Sequence, residues 1–268
     1  MLNSFRLYMT GILINLQFYT SIPIRKDFPM DKRQLTYVLQ TFPVLGLIQG
    51  AIYAGFLYIL QMYTPFSDLM LALFLWLLMI ILSGGIHLDG WIDTSDAYFS
   101  FKDPEKRLEI LQDPRVGAFG VLSVVVFLII RLLILYEIIQ LAGGSVYLFI
   151  ILIPFLGKSL LGIFLQTMQP ARKEGMACFF QQGKTKYVWL IYSFYFLLAG
   201  FVVGWLHRES FHVYAVFLAV FIIAALFLAR SIKKNFTGIS GDTLGAGSEG
   251  MELLLWATLW LLHSFAMG

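Results

Sequence analysis

Charge is what this sequence has least of. Only 13% of its 268 residues are Asp, Glu, Lys or Arg, where a soluble domain carries about 25%. With 59% hydrophobic residues and a mean hydropathy of +0.79, that scarcity excludes a water-soluble globular enzyme, a nucleic-acid binder and a disordered chain. Cysteine is rarer still. Cys178 stands alone, which excludes an internal disulfide framework and a multi-thiolate metal site. The net charge of +3 is too small to select an anionic partner. No internal repeat is visible, and residues 1–20 lack the succession of a cleavable signal.

What is abundant is apolar length. A hydrocarbon core about 30 Å thick needs roughly 20 apolar residues per helix. Spans are expected near 35–61, 67–83, 119–141, 146–169, 187–206, 211–229 and 250–266. The segment from Phe5 to Tyr19 is apolar but interrupted by Arg6, Asn15 and Gln17, so it reads as an interfacial or re-entrant helix ahead of an eighth span. The expected fold is all-α: one domain, 1–268, a polytopic integral membrane bundle of about seven transmembrane helices plus that N-terminal helix. The 25 Phe, 13 Tyr and 6 Trp suit rings at headgroup level.

Orientation follows from the basic residues. The long connections 21–34, 84–118, 170–186 and 230–249 hold Arg25, Lys26, Lys32, Arg33, Lys102, Lys106, Arg107, Arg115, Arg172, Lys173, Lys184, Lys186, Arg230, Lys233 and Lys234. The short connections 62–66, 142–145 and 207–210 hold only Arg208. The positive-inside rule therefore puts the long connections, and the chemistry, on the cytoplasmic side.

The densest acidic stretch runs Ser83-Gly-Gly-Ile-His-Leu-Asp-Gly-Trp-Ile-Asp-Thr-Ser-Asp-Ala97. Asp89, Asp93 and Asp96 fall at i, i+4 and i+7, one face of a helix. Three stacked carboxylates repel one another, and hard oxygen donors in that number suit Mg²⁺ or Mn²⁺. Because Mg²⁺ completes its shell with waters and phosphates, the triad reads as half a site awaiting a diphosphate. The alternative is a solvated acidic loop. His87 is either an acid–base group beside that cluster or a packing residue.

Two further stretches lie on the same side. Gly238-Ile-Ser-Gly-Asp-Thr-Leu-Gly-Ala-Gly-Ser-Glu-Gly-Met-Glu252 opens the last span. Its glycines form either an anion cradle or a tight helix crossing, with Asp242 and Glu249 as further ligands or base. Asp113 and Arg115 stand just before a span, as phosphate contacts or as a plain helix entry. Inside the spans lie Arg131, Glu137 and Lys158. Such groups cost about 2.5–3.5 kcal/mol each on insertion scales, so Arg131 and Lys158 are expected to hold phosphate oxygens or to pair across helices with Glu137.

The stretch Gly84 to Asp96 closely resembles the signature of the cobalamin (5'-phosphate) synthase, or adenosylcobinamide-GDP ribazoletransferase, family. The resemblance extends in family order over nearly the whole chain. It takes in Phe18-Tyr-Thr-Ser-Ile-Pro-Ile24, Phe42-Pro-Val-Leu-Gly-Leu-Ile-Gln-Gly50, Leu108-Glu-Ile-Leu-Gln-Asp-Pro-Arg-Val-Gly-Ala-Phe-Gly120, Ala171-Arg-Lys-Glu-Gly175 and Gly241-Asp-Thr-Leu-Gly-Ala246. It implies a Mg²⁺-dependent enzyme of the cytoplasmic (inner) membrane. Such an enzyme joins adenosylcobinamide-GDP to α-ribazole, or its 5'-phosphate, and releases GMP. It further implies Asp89 and Asp93 as direct metal ligands, Asp96 as a third ligand or just outside, and Asp93, Asp96 or Asp242 as the base. Arg115, Arg131, Lys158 and Arg172 would hold phosphates, with His87, Asp113, Thr243, Glu249 and Glu252 also on substrate. Membrane lipid is an implied partner, nucleic acid is not, and self-association or complexes with other cobalamin-pathway enzymes stay open. Pro114 replaces a small hydroxyl residue common in the family, and it fits a first helical turn. Ala97 replaces a glycine of some members.

Two competing readings are weaker. A CDP-alcohol phosphotransferase also uses Asp-Gly carboxylate motifs, but Asp93-Thr94 stands where Ala-Arg is expected and the downstream Asp-x-x-x-Asp is missing. A secondary transporter would show inverted repeats and does not explain acids gathered on one side.

Overall fold

The computed structural model describes residues 2–141 and 144–266. It contains α1 (Leu2–Tyr19), α2 (Lys32–Tyr63), α3 (Asp68–Ser83), α4 (Ile86–Ser100), α5 (Pro104–Ile110), α6 (Ala118–Leu141), α7 (Val146–Thr167), α8 (Met176–Gln181), α9 (Tyr187–Leu206), α10 (Phe211–Phe236) and α11 (Gly241–Ala266). Among the described residues there is no strand, only an isolated bridge between Pro170 and Ile239. The expected all-α bundle is what the chain forms. Part of the expected connection 142–145 lies outside the described residues.

Among the described residues five helices are long and apolar enough to cross a membrane: α2, α6, α7, α9 and α10. A sixth crossing comes from α3 if the bent pair α3–α4 counts as one broken span. The chain is thus an integral membrane protein, though the full seven spans are not reached by this measure. α7 is the centre, with 83% of its apolar window buried against 22% for α9. The outward residues of α9 and α10, among them Leu190, Phe194, Leu197, Phe201, Ile223 and Phe227, are exposed apolar side chains. Water would not tolerate so large a patch, whereas lipid matches it.

The closest packing joins α2 and α7. Gly46 and Gly50, four apart on one face of α2, bring the two backbones together. A Cβ on Gly46 would lie 2.6 Å from the Phe155 Cα, and one on Gly50 would lie 2.6 Å from the Ile151 Cα. Small residues spaced this way give membrane helices the dispersion contact that hydrophobicity cannot supply inside lipid. Asp31 starts α2 by accepting from the Gln34 amide at 2.8 Å, a standard N-cap. α1 is held along α2 by polar contacts: Asn15 Nδ2 donates to the Val38 carbonyl and to Thr41 Oγ1, each at 2.9 Å. Its apolar length does not meet the criterion for a span.

The turn that builds the site is Gly84-Gly85. Both have positive φ, 63° and 74°, a conformation that costs other residues about 1–2 kcal/mol. It ends α3 and starts α4 at 87° to it, so α3 provides the crossing part and α4 turns away across one end of the bundle. The ends of the other long connections gather there too. The Ile239 amide donates to the Gln169 carbonyl and the Ala171 amide to the Ile239 carbonyl, both at 2.9 Å.

Two boundaries differ from expectation. α10 runs on to Phe236 because Arg230, Lys233 and Lys234 prolong it, and basic residues in a last turn suit the helix dipole. α11 begins at Gly241, not at residue 250. Its glycine-rich first turns are helix, used for close crossing.

Candidate active site

α4 and α11 cross where glycines leave room. A Cβ on Gly90 would lie 2.7 Å from the Asp242 carbonyl oxygen and 3.0 Å from its Cα. Gly245 meets the backbone of His87, at 3.2 Å from its Cα. This crossing sets Asp89 and Asp93, on either side of Gly90, opposite Asp242. Trp91 fixes the rotation of α4 from outside: its Nε1 donates to Ser123 Oγ at 2.8 Å, and Ser123 donates to Ser95 Oγ at 2.9 Å.

Electrostatics show that these carboxylates face each other. Burial first, then Asp89, Asp242 and Asp96, push the Asp93 carboxyl up to about 6. Burial also raises Asp242, offset in part by hydrogen bonds from its own amide and from Ser240. Asp89 and Asp242 line one cavity of about 170 Å³ together with His87, Tyr19, Leu161, Leu165, Met176 and Phe180. Among the described residues no three His, Cys, Asp or Glu side chains form a ready-made metal cage. Mg²⁺ needs none, since one or two carboxylates with waters and substrate phosphates complete its shell.

Asp96 is occupied differently. It accepts from the Gly120 amide at 3.4 Å, so it holds the start of α6 against α4. Thr243 is a capping residue: its Oγ1 accepts from the Ser240 amide at 2.8 Å, and it is buried. Asp113 and Arg115 are bound to each other on an exposed turn, 2.6 Å apart with Arg115 87% exposed. Arg115 holds the Asp113 carboxyl down at about 2, and neither residue lines the cavity. Arg172 is half-buried, donates to the Leu108 carbonyl and lies near enough to Asp242 to lower its carboxyl.

The two cations inside the spans are both ion-paired. Arg131 pairs with Glu249, each side chain 4% exposed, and its guanidinium lies 4.6 Å from the Phe127 ring centre. Lys158 donates to Glu252 at 2.7 Å and to Ser248 at 3.2 Å, and it stands 3.2 Å from His87 Nδ1. Three donors, three partners. The expected pairing with Glu137 is not what forms, for Glu137 is exposed while the partners come from α11. Those acids sit within α11 once its true start is known, and two cations and two anions balance.

Sequence reasoning did not reach the apolar wall of the cavity. Tyr19 and Phe180 carry no chemical signature, and only the crowding of α1 and α8 against the α4–α11 crossing brings them there. Tyr19 does lie inside the motif Phe18-Tyr-Thr-Ser-Ile-Pro, which was the available signal.

Comparison with known proteins identifies the family. The family described as cobalamin-5-phosphate synthase matches residues 11–260. A Geobacillus sp. (strain WCH70) protein named adenosylcobinamide-GDP ribazoletransferase is 37% identical, over 96% of this chain and 98% of its own. Proteins of the same name from Geobacillus thermodenitrificans and Halalkalibacterium halodurans are 39% and 35% identical, covering 96% and 94% of this chain and 98% and 95% of theirs. No solved structure matches. The chain belongs to the cobalamin-5-phosphate synthase family.

Proposed function

We propose that this protein joins adenosylcobinamide-GDP to α-ribazole or its 5'-phosphate and releases GMP, the last assembly step of cobalamin. The observation that carries it is the α4–α11 crossing, which brings Asp89 and Asp242 to one cavity, with Asp93 close enough to feel both charges and Arg172 close enough to feel Asp242. The site faces the cytoplasm by the positive-inside rule, in the cytoplasmic membrane. Self-association or complexes with other enzymes of the pathway fit the exposed apolar helices but are not needed for the site.

The carboxylates fit a divalent cation. Asp93 is held up by burial first and then by like charges, with no compensating cation among its causes, the situation a hard cation relieves. Asp89 and Asp93 would hold Mg²⁺, with Asp96 just outside them, steadied by the Gly120 amide. When bound, the ion supplies charge neutralisation on the diphosphate. The hydroxyl of the riboside attacks the phosphorus on the cobinamide side, the bond to GMP breaks, and the hydroxyl proton passes to a carboxylate. Asp242 suits that role, because it lines the cavity with Asp89 and burial raises its proton affinity. Arg172 is the cation placed to hold the leaving phosphate. Arg131 and Lys158 act from behind, fixing α11 through Glu249 and Glu252. His87 stays on the substrate side of Lys158. Arg115 reaches a phosphate only by leaving Asp113.

The test is an assay of purified protein with adenosylcobinamide-GDP, α-ribazole and Mg²⁺, following GMP. Turnover that disappears with chelator and in Asp89→Ala is expected. No product at any divalent metal refutes the activity, and an active Asp89→Ala enzyme refutes the metal assignment.

A further inference from the structure

The cavity has two unlike linings. Asp89 and Asp242 supply its acidic lining, and Leu161, Leu165, Phe180, Ala177, Tyr19 and the partly exposed Met176 supply its apolar lining. At about 170 Å³ it falls below the ~300–1,000 Å³ that encloses a drug-sized ligand. A single flat ring system fits, and a corrin macrocycle does not. The wall is aromatic in arrangement as well as composition. The Tyr19 ring centre is 5.7 Å from His87, 6.3 Å from Phe180 and 5.2 Å from Phe42, spacings at which rings attract through offset or edge contacts.

One polar atom in this wall is unanswered. His87 is 3% exposed and its Nε2 has no hydrogen-bond partner. Its Nδ1 faces Lys158 Nζ at 3.2 Å. An ammonium only donates, so Nδ1 accepts and the ring proton sits on Nε2. A buried donor without a partner costs about 1–3 kcal/mol, which a ligand acceptor in the right place returns.

We propose that the apolar lining of this cavity is the base pocket of the riboside substrate. Tyr19, Phe180 and Met176 enclose a flat azole-containing base. His87 Nε2–H donates to its unsubstituted ring nitrogen, and the ribose is left facing Asp242 and Asp89. This rests on the proposed activity and adds to it the substrate that occupies this half of the site and what selects its base. Lys158 acts here as a positioning residue, since it sets the histidine tautomer. The larger substrate then approaches from the open, charged side, where Asp89 is exposed.

The probe is a radiolabelled benzimidazole riboside, bound at equilibrium to the purified full-length protein without the second substrate. Steady-state kinetics with each substrate varied are run beside it. Ala177→Leu fills the pocket; it is expected to weaken riboside binding and raise its KM at least tenfold, with KM for adenosylcobinamide-GDP within twofold. Met176→Ala, at a 43% exposed rim position, is expected to weaken the riboside alone by a fewfold, and it keeps the test decisive if Ala177→Leu fails to insert. An indole riboside, which has CH at the accepting ring position, is expected to bind wild type about tenfold more weakly than the benzimidazole riboside, the worth of one hydrogen bond. His87→Phe is expected to remove that discrimination. An active wild type whose Met176→Ala variant changes KM for the corrinoid substrate instead, or neither KM, overturns the base pocket and leaves the activity standing. Equal binding of the two ribosides by wild type overturns the histidine contact. Riboside binding that obeys the pocket variants in a protein without turnover overturns the activity alone.

Discussion

Removing Arg131 alone leaves Glu249 as an uncompensated carboxylate in a site where both side chains are 4% exposed. Breaking a buried pair from one side costs about 3–5 kcal/mol, whereas replacing both members with apolar groups is often neutral or favourable. The burial here is nearly complete, so screening by solvent removes little of that figure. Arg131→Met also loses the contact with the Phe127 ring at 4.6 Å, worth about 0.5–2 kcal/mol. Arg131→Met and Glu249→Leu are each expected to lose about 3–5 kcal/mol, and the double variant only about 1 kcal/mol, the lost ring contact. The coupling between them is then at least about 5 kcal/mol, well above the roughly 0.6 kcal/mol average of polar contacts between membrane helices. Equilibrium unfolding in mixed micelles, read by tryptophan fluorescence, measures all four corners. A stable Arg131→Met protein, or a double variant no better than the singles, refutes the buried-pair reasoning. The double variant also separates the roles: a stable but inactive protein means that Arg131 or Glu249 touches substrate, and a stable active one means that the pair only holds α11.

Further outcomes follow from the same geometry. Gly90→Ala places a methyl 2.7 Å from the Asp242 carbonyl oxygen; kcat/KM is expected to drop at least a hundredfold through misplacement of the carboxylates, with a stability loss of about 1–3 kcal/mol. Asp93 titrates at about 6, above the ordinary aspartate value. Its ionisation therefore destabilises the metal-free protein, with a penalty that is full above pH 6 and shrinks as pH falls from 6 toward the ordinary aspartate value. Mn²⁺ affinity measured by calorimetry is expected to be flat above pH 7 and to fall toward tenfold per unit below 6; a pH-independent affinity refutes the role. Asp93→Asn is expected to raise the thermal midpoint of the metal-free protein while ending turnover, and a lowered midpoint counts against the repulsion. Asp113→Ala frees Arg115 on an exposed turn and is expected to leave the unfolding midpoint unchanged; a large loss in unfolding experiments refutes the reading of that pair as a surface contact.

The helices were legible because lipid imposes one rule on every span: about 20 apolar residues with all backbone groups satisfied internally. The carboxylate face of α4 was legible for a similar reason, since i, i+4 and i+7 share a side wherever a helix forms. Periodicity failed at residues 241–249. Five of the fifteen residues from Gly238 to Glu252 are glycine, a composition that reads as loop in water, yet here Gly245 and Gly250 serve contacts with His87 and Trp91. Missing that start left Glu249 just outside the expected span 250–266 and Glu252 at its very edge, so neither read as a partner for the buried cations. Charge balance within the spans was the signal that could have found them: one glutamate, Glu137, cannot answer both Arg131 and Lys158.

That balance explains how a like-charged site is held together. Asp89, Asp93 and Asp242 repel across the α4–α11 crossing, and neither helix has a covalent reason to stay. Glycine at positions 90 and 245 makes close approach sterically feasible without supplying an electrostatic gain. The gain lies deeper on α11, where Glu249 is fixed to α6 through Arg131 and Glu252 to α7 through Lys158. Leaving those pairs would expose charges to lipid, at about 2.5–3.5 kcal/mol apiece, so α11 cannot withdraw to relieve the repulsion above. Lys158 ties the two levels together, because the same ammonium that anchors Glu252 orients His87 on α4. The buried pairs thus act as the clamp against which the acidic site is compressed, and the repulsion stored there is what the proposed divalent cation would relieve on binding.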